Sequence, residues 1–121
     1  MFEVLAMWDG KSIQPLRASY QQYKPLFPIT IPDLESDMQW EGFLWILKHS
    51  LEQGEPASII DLDNLLLLIN KCNTWGAKLL WLQMCYLFPV SLNKVEKQTV
   101  NAWCLDENKS VKTWAYYVLA H

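Results

Sequence analysis

The sequence predicts an all-α protein, built as a short right-handed stack of antiparallel helix pairs, an α-solenoid. A short apolar block recurs at intervals of 36 residues, at positions 43–46, 79–82 and 115–118. A fixed period of this size is typical of stacked helical repeats, because one helical pair cannot bury its apolar face without neighbours. Capping residues and helix breakers are placed in agreement with this period. An irregular helical bundle is the alternative fold.

Length and composition define the broad class of protein. A chain of 121 residues is long enough for a single domain whose core needs no disulfides. Hydrophobic residues make up 51% of the chain, and it contains seven Trp but only four Gly, which is typical of a well-packed globular protein. The net charge of −3 argues against nucleic acid and anionic membranes as partners.

Residues 1–35 are predicted to form an irregular, proline-rich N-terminal arm that packs across the end of the helical part. Proline removes a backbone donor and restricts the residue before it, so the stretch 24–32 cannot be the interior of a helix. Residues 12–23 can form a short helix with Pro15 in its first turn. The stretch 1–8 is compatible with either a strand or a helix.

Residues 36–121 are predicted to form the helical repeat domain, with about five helices. Ser36 and Gln39 have the spacing of a capping box. Apolar residues then follow at helical intervals as far as Leu51, and Gly54 stands where a helix would end.

The second predicted helix begins at Ser58 and extends through Ile69. It is apolar on nearly every side, so we expect it to be the most enclosed helix. A third helix is predicted from Trp75 to Phe88, with Thr74 as its cap.

Two more helices complete the prediction. Ser91 is expected to open the fourth helix, which extends through Trp103, and Asn108 is expected to open the fifth.

The last predicted helix and the turn before it carry a more specific pattern. Asp106 precedes Val111 by five residues, and small or apolar residues follow at four, seven and eight positions further on, at Ala115, Val118 and Leu119. This pattern resembles a HEAT-type repeat, with Lys112 in the place where that family has Arg. The resemblance implies stacked helix pairs whose second helices line a concave, partner-binding side.

That resemblance makes the polar residues of the second helices the first candidates for a contact surface. They are Asp61, Asp63, Asn64, Lys94, Lys97 and Asn101. Two structural explanations stay open. The two Asp residues can be helix-start carboxylates that the macrodipole favours, and the two Lys residues can belong to a solvated face.

A second candidate surface consists of Trp45, Trp81 and Tyr117, which occupy equivalent positions in the repeat. If the three side chains form a row along one flank, they can anchor a partner, because Trp and Tyr dominate binding hot spots. The alternative is that neighbouring repeats stack over this flank and bury it.

The sequence offers little material for catalysis or cofactor binding. It has two His and three Cys without metal-ligand spacing, so we predict no catalytic, metal or cofactor site. Cys72, Cys85 and Cys104 are expected to be buried free thiols, which indicates a reducing compartment. No basic segment typical of a secretory signal opens the chain, and no apolar run is long enough to span a membrane. We therefore expect a cytoplasmic protein.

Three functions are compatible with these observations. The first is a protein–protein interaction module, or scaffold, that holds a protein partner against its helical-repeat surface. The second is a small acidic inhibitor of the immunity-protein or antitoxin type, which would neutralise a partner enzyme. The third is a HEAT-like nucleic-acid-binding or DNA-repair protein, which the negative charge disfavours. A homodimer through the uncapped C-terminal helix is a further expectation.

Overall fold

A computed structural model describes residues 3–23, 33–54, 67–87 and 92–120. Within these ranges the chain forms helices and no strand, which confirms the prediction of an all-α protein. The α-helices are α1 (Glu3–Met7), α2 (Ile13–Tyr23), α3 (Asp37–Glu52), α4 (Trp75–Leu87), α5 (Lys94–Trp103) and α6 (Lys109–Ala120). A short 3-10 helix covers Leu68–Lys71.

Three of the predicted helix starts are confirmed by side-chain hydrogen bonds to backbone N–H groups. At α3, the Ser36 hydroxyl accepts from the Gln39 N–H, and the Gln39 side chain accepts from the Ser36 N–H, which completes the capping box. At α4, the Thr74 hydroxyl accepts from the Ala77 N–H at 3.1 Å. At α6, the Asn108 side chain accepts from the Val111 N–H at 3.1 Å. Each bond satisfies a donor that the helix itself leaves unpaired.

The predicted start of α5 is wrong. The cap is Asn93 rather than Ser91, because the Asn93 side-chain oxygen accepts from the Glu96 N–H at 3.0 Å. Asn is at least as good an N-cap as Ser, and Leu92 and Asn93 are not helical. Ser91 itself lies outside the described residues.

The second predicted helix falls mostly on residues 55–66, which lie outside the described part of the chain, and its expected enclosure stays a prediction. Of its last predicted residues, Leu68 and Ile69 lie in the 3-10 helix and are buried in the core, whereas Leu67 is exposed.

In the described part of the N-terminal arm, residues 3–7 and 13–23 are helical, whereas residues 8–12 and 33–35 are not. The predicted helix over 12–23 is α2, and the preceding α1 is a further short helix. Leu5, Leu16 and Tyr20 are buried. Helices α1 and α2 pack against each other and against α3, so α1, which is too short to be stable alone, is held by tertiary contacts. The proline-rich stretch 24–32 lies outside the described residues.

The three helices that carry the repeated apolar block lie side by side. Helix α3 packs on α4, α4 packs on α6, and α5 packs on α6. The last position of the block is enclosed in each case, since Ile46 and Leu82 are fully buried and Val118 packs against the core. We call α3, α4 and α6 the central layer.

Polar side chains link each helix of the central layer to the turn before the next one. The Asn73 amide donates to Asp37, 36 residues earlier in the chain, at 3.0 Å. The Thr74 hydroxyl donates to Glu41 at 3.3 Å. The Lys78 ammonium donates to Asp106 at 2.8 Å, and this bond lowers the pKa of the Asp106 carboxyl. These links set the register between neighbouring helices.

Gly42 allows α1 to approach α3 closely. A Cβ atom at this position would lie 2.6 Å from Leu5 Cδ2 and 3.0 Å from the Trp8 ring, both on α1 or just after it. Distances this short are not tolerated in a packed core, so the missing side chain is what admits the N-terminal helix.

We predict that Gly42→Val destabilises the protein by about 2 kcal/mol, because the added methyl groups overpack the contact between α1 and α3. Urea unfolding followed by far-UV circular dichroism measures the effect.

The control is the double variant Gly42→Val/Leu5→Ala, in which the clashing Leu5 methyl groups are absent. Its loss of stability should be clearly smaller than the sum of the two single losses. Strict additivity would show that the side chain introduced at position 42 does not meet Leu5.

Candidate partner-binding surface

Three of the residues predicted to contact a partner come together in an open cleft between α5 and α6. The cleft has a volume of about 540 Å³ and is lined by Lys94, Lys97, Gln98, Asn101 and Leu119. The four α5 residues follow the i, i+3, i+4, i+7 spacing that places them on one face of a helix. We call this feature the lysine cleft.

Sequence reasoning missed two residues of the lysine cleft. Gln98 could have been found, since it stands four residues after Lys94 and so shares its helix face. Leu119 carries no such signal, because it belongs to α6 and reaches the cleft only through the packing of α6 on α5.

The lysines of the cleft carry uncompensated charge. Lys94 and Lys97 are exposed, and neither has an ion-pair partner among the described residues. The nearest carboxylate in sequence, Glu96, is buried on the opposite side of α5 with Val100 and Trp103. The side chain of Glu96 is therefore turned away from the cleft.

The C-terminal surface, with the cleft included, carries more exposed positive than negative charge. Residues 92–120 contain four lysines and three acidic residues. All four lysines are exposed. Of the acids, Glu96 is buried and Asp106 is bonded to Lys78, which leaves only Glu107 exposed and unpaired within this stretch. The surface charge here is positive although the chain as a whole is negative.

Three residues of the predicted contact surface belong to the second predicted helix. Asp61, Asp63 and Asn64 lie outside the described residues.

Trp45, Trp81 and Tyr117 do not form one exposed row. Trp81 is fully buried, with the edge of its ring against Trp103 at a centroid distance of 5.9 Å. Trp45 is half-buried and stacks on His49, whereas Tyr117 is 41% exposed. Trp81 lies on the middle helix of the layer, so neighbours cover it from both sides and it cannot contact a partner.

An aromatic cluster of different membership surrounds Tyr117. The rings of Tyr86, Trp114 and Tyr117 meet edge to face, with centroid distances between 5.3 and 5.8 Å. Burial, and then the neighbouring Tyr86 hydroxyl, raise the pKa of Tyr117. The i, i+3 spacing of Trp114 and Tyr117 signals their pairing, but Tyr86 joins them only because α4 packs on α6.

His49 lies between two aromatic side chains at the contact of α2 and α3. Its ring stacks on Trp45 at 4.8 Å and meets the edge of Tyr20 at 5.0 Å. Its buried Nε2 has no hydrogen-bond partner among the described residues. Burial, and then the positive charge of Arg17, lower the pKa of His49, and Glu52 opposes this shift.

The three cysteines are buried free thiols. Burial raises the pKa of Cys85 to about 12, and it raises the pKa of Cys72 and Cys104 as well. A thiol whose pKa is raised holds little thiolate at neutral pH, so these cysteines are poor nucleophiles and poor metal ligands.

Within the described ranges, no three His, Cys, Asp or Glu side chains cluster closely enough to hold a metal ion. A helix of the length and apolar character needed to cross a bilayer is likewise not found in those ranges.

Comparison with known proteins gives no match to the chain among protein families, curated proteins or solved structures.

We predict that Trp81→Ala destabilises the protein by about 3–5 kcal/mol, because it leaves a large cavity in the middle of the central layer. Tyr117→Ala should cost about 1–2 kcal/mol, because its side chain is already 41% exposed and only its ring contacts with Tyr86 and Trp114 are lost. Chemical denaturation of both variants tests the contrast, and equal losses would contradict the assigned burial.

We predict that His49 makes stability depend on pH. Because the folded protein lowers the pKa of His49 below the ordinary 6.5, the unfolded chain takes up the proton first. The contribution of neutral His49 is thus complete above about pH 6.5 and is lost progressively as the pH falls below that value.

The measurement is the free energy of unfolding between pH 7.5 and 5, for the wild type and for His49→Gln. Gln keeps a polar group but does not titrate, so the decrease below pH 6.5 should be shallower in the variant. Parallel curves would show that His49 titrates normally in the folded state.

Proposed function

We propose that this protein is an interaction module that holds a protein partner against its helical surface. The observation that carries this proposal is the lysine cleft, where Lys94, Lys97 and Asn101 converge with an apolar side chain from the next helix. Three of the nine contact candidates from the sequence thus line one open cleft.

The proposed scaffold is a short right-handed stack of HEAT-like helix pairs. Two features support it. The helices of the central layer follow one another at the 36-residue period, and Asp37 bonds to Asn73 at that same spacing. Asp106, which occupies the turn position of the HEAT pattern, bonds to Lys78 of the preceding repeat, so a polar bridge joins neighbouring units.

The chemistry of the lysine cleft suits a peptide chain. Gln98 and Asn101 offer amide groups that can both donate to and accept from a backbone. Leu119 is 37% exposed and provides an apolar contact. A volume of about 540 Å³ is the size of a ligand pocket, whereas a stable interface needs about 800 Å² from each partner. The cleft is therefore one anchor within a larger contact area.

We further propose a cytoplasmic location, supported by three buried thiols that form no disulfide. Proteins of oxidising compartments generally use such cysteines as crosslinks.

We expect the native protein to carry a protein partner in stoichiometric amount. Mild chemical crosslinking in the source cells, affinity purification and mass spectrometry identify the partner, and light scattering gives the stoichiometry. Trp81→Ala, which disrupts the core, should lose it.

Several outcomes discriminate between functions. An enzyme whose activity the protein abolishes would favour the inhibitor hypothesis. A second copy of this chain would indicate a homodimer. Recovery of no stoichiometric protein at all would contradict the proposed module.

A further inference from the structure

Lys94 and Lys97 stand where a helix disfavours positive charge. With Asn93 as the cap, they are the first and fourth residues of α5. The amino end of a helix carries the positive pole of the macrodipole, so acidic residues are stabilising there and lysines are not. Neither lysine gains an ion pair from a described residue in return. Helix stability therefore does not account for these two charges.

The same two lysines face an open space rather than the body of the protein. Their helix face lines the lysine cleft, and the one carboxylate in their turn, Glu96, is buried on the other face. The two unpaired ammonium groups therefore lie beside the cleft near the positive end of α5. This arrangement favours an anionic occupant.

The C-terminal part of the sequence, residues 92–121, also differs from the rest in the sign of its net charge. Residues 1–91 contain six basic and ten acidic residues, a net charge of −4, whereas residues 92–121 contain four basic and three acidic residues. Within the sequence, residues 92–121 are therefore the part that favours an anionic partner. Electrostatic steering of this kind orients a partner before contact.

The other groups of the cleft select the class of anion. Single-stranded nucleic acids are held by aromatic stacking platforms within a strongly cationic groove. The lysine cleft has no aromatic or Arg residue in its described lining, and it presents two amides and Leu119 instead. Amides suit a peptide backbone, and Leu119 suits an apolar side chain.

We propose that the lysine cleft binds an acidic peptide segment of a partner protein, with its carboxylates paired to Lys94 and Lys97 and an apolar side chain packed on Leu119. This inference rests on the proposed function, since it names the chemistry of the segment that the module recognises.

The test uses a fluorescein-labelled peptide of twelve residues with the repeat Glu-Glu-Leu, titrated with the full chain and followed by fluorescence anisotropy. A peptide with the repeat Gln-Gln-Leu is the neutral control. We expect the acidic peptide to bind at least about tenfold more tightly than the neutral one at low salt, and the difference to shrink as salt rises. Amide chemical shifts should move at Lys94, Lys97, Gln98, Asn101 and Leu119.

Matched charge reversals locate the effect. Lys94→Glu/Lys97→Glu should weaken binding of the acidic peptide at least about tenfold, whereas Lys11→Glu/Lys109→Glu, with the same change in net charge at exposed sites outside the cleft, should change it less than about twofold. Because acidic residues suit the start of a helix, the first variant should also keep or raise the melting temperature. Lost binding therefore cannot be attributed to unfolding.

Four results would overturn the inference. They are equal binding of the two peptides, equal effects of the two double variants, tighter binding of a single-stranded DNA oligonucleotide of the same charge at the same residues, and self-association that disappears in Lys94→Glu/Lys97→Glu.

The proposed function is tested separately. If crosslinking recovers a partner and Lys94→Glu/Lys97→Glu still binds it, only the acidic-segment inference fails; if no partner is recovered, the module itself fails.

Discussion

Helix α4 has to be enclosed, and the arrangement of the other helices follows from that requirement. This helix is apolar on several sides, with Ala77, Trp81, Leu82, Met84 and Cys85 all buried. Such a helix must be covered along both flanks, and α3 and α6 provide that cover. The contact of Trp81 with Trp103 also ties α5 to the central layer. The position of the lysine cleft follows from these contacts.

Lys78 shows how the same residue type serves a different purpose when it lies inside the structure. Its ammonium group bonds to Asp106 at 2.8 Å and lies 5.8 Å from the ring centroid of Trp103. One cation thereby connects α4, α5 and the turn before α6. A paired, partly buried charge of this kind fixes geometry, whereas the unpaired Lys94 and Lys97 leave their charge available to a partner.

Net charge is a poor guide to the surface of this protein. The value of −3 argues against anionic partners only if the charges are evenly spread. Burial of Glu96 and pairing of Asp106 remove two carboxylates from the C-terminal surface. What a partner meets there is a group of exposed lysines, and the distribution of charge controls association more than its sum.

Local sequence patterns were sufficient to predict the helical class and three of the helix starts. These features depend on hydrogen bonds and periodicity within a few residues, so a short stretch of chain specifies them. The wrong start of α5 also concerns only neighbouring residues, because Ser and Asn are about equally favourable as N-caps and so Ser91 and Asn93 are hard to tell apart.

Packing between distant helices controls which equivalent residues are buried and which surface is open. Trp45, Trp81 and Tyr117 share one sequence pattern, yet only Trp81 has a helix of the central layer on both sides. Helix α1 packs on α2 and, at Gly42, on α3, and Leu119 enters the lysine cleft from another helix than the rest of the lining. Burial depends on how many neighbours a residue acquires from distant parts of the chain, which no short stretch of sequence records.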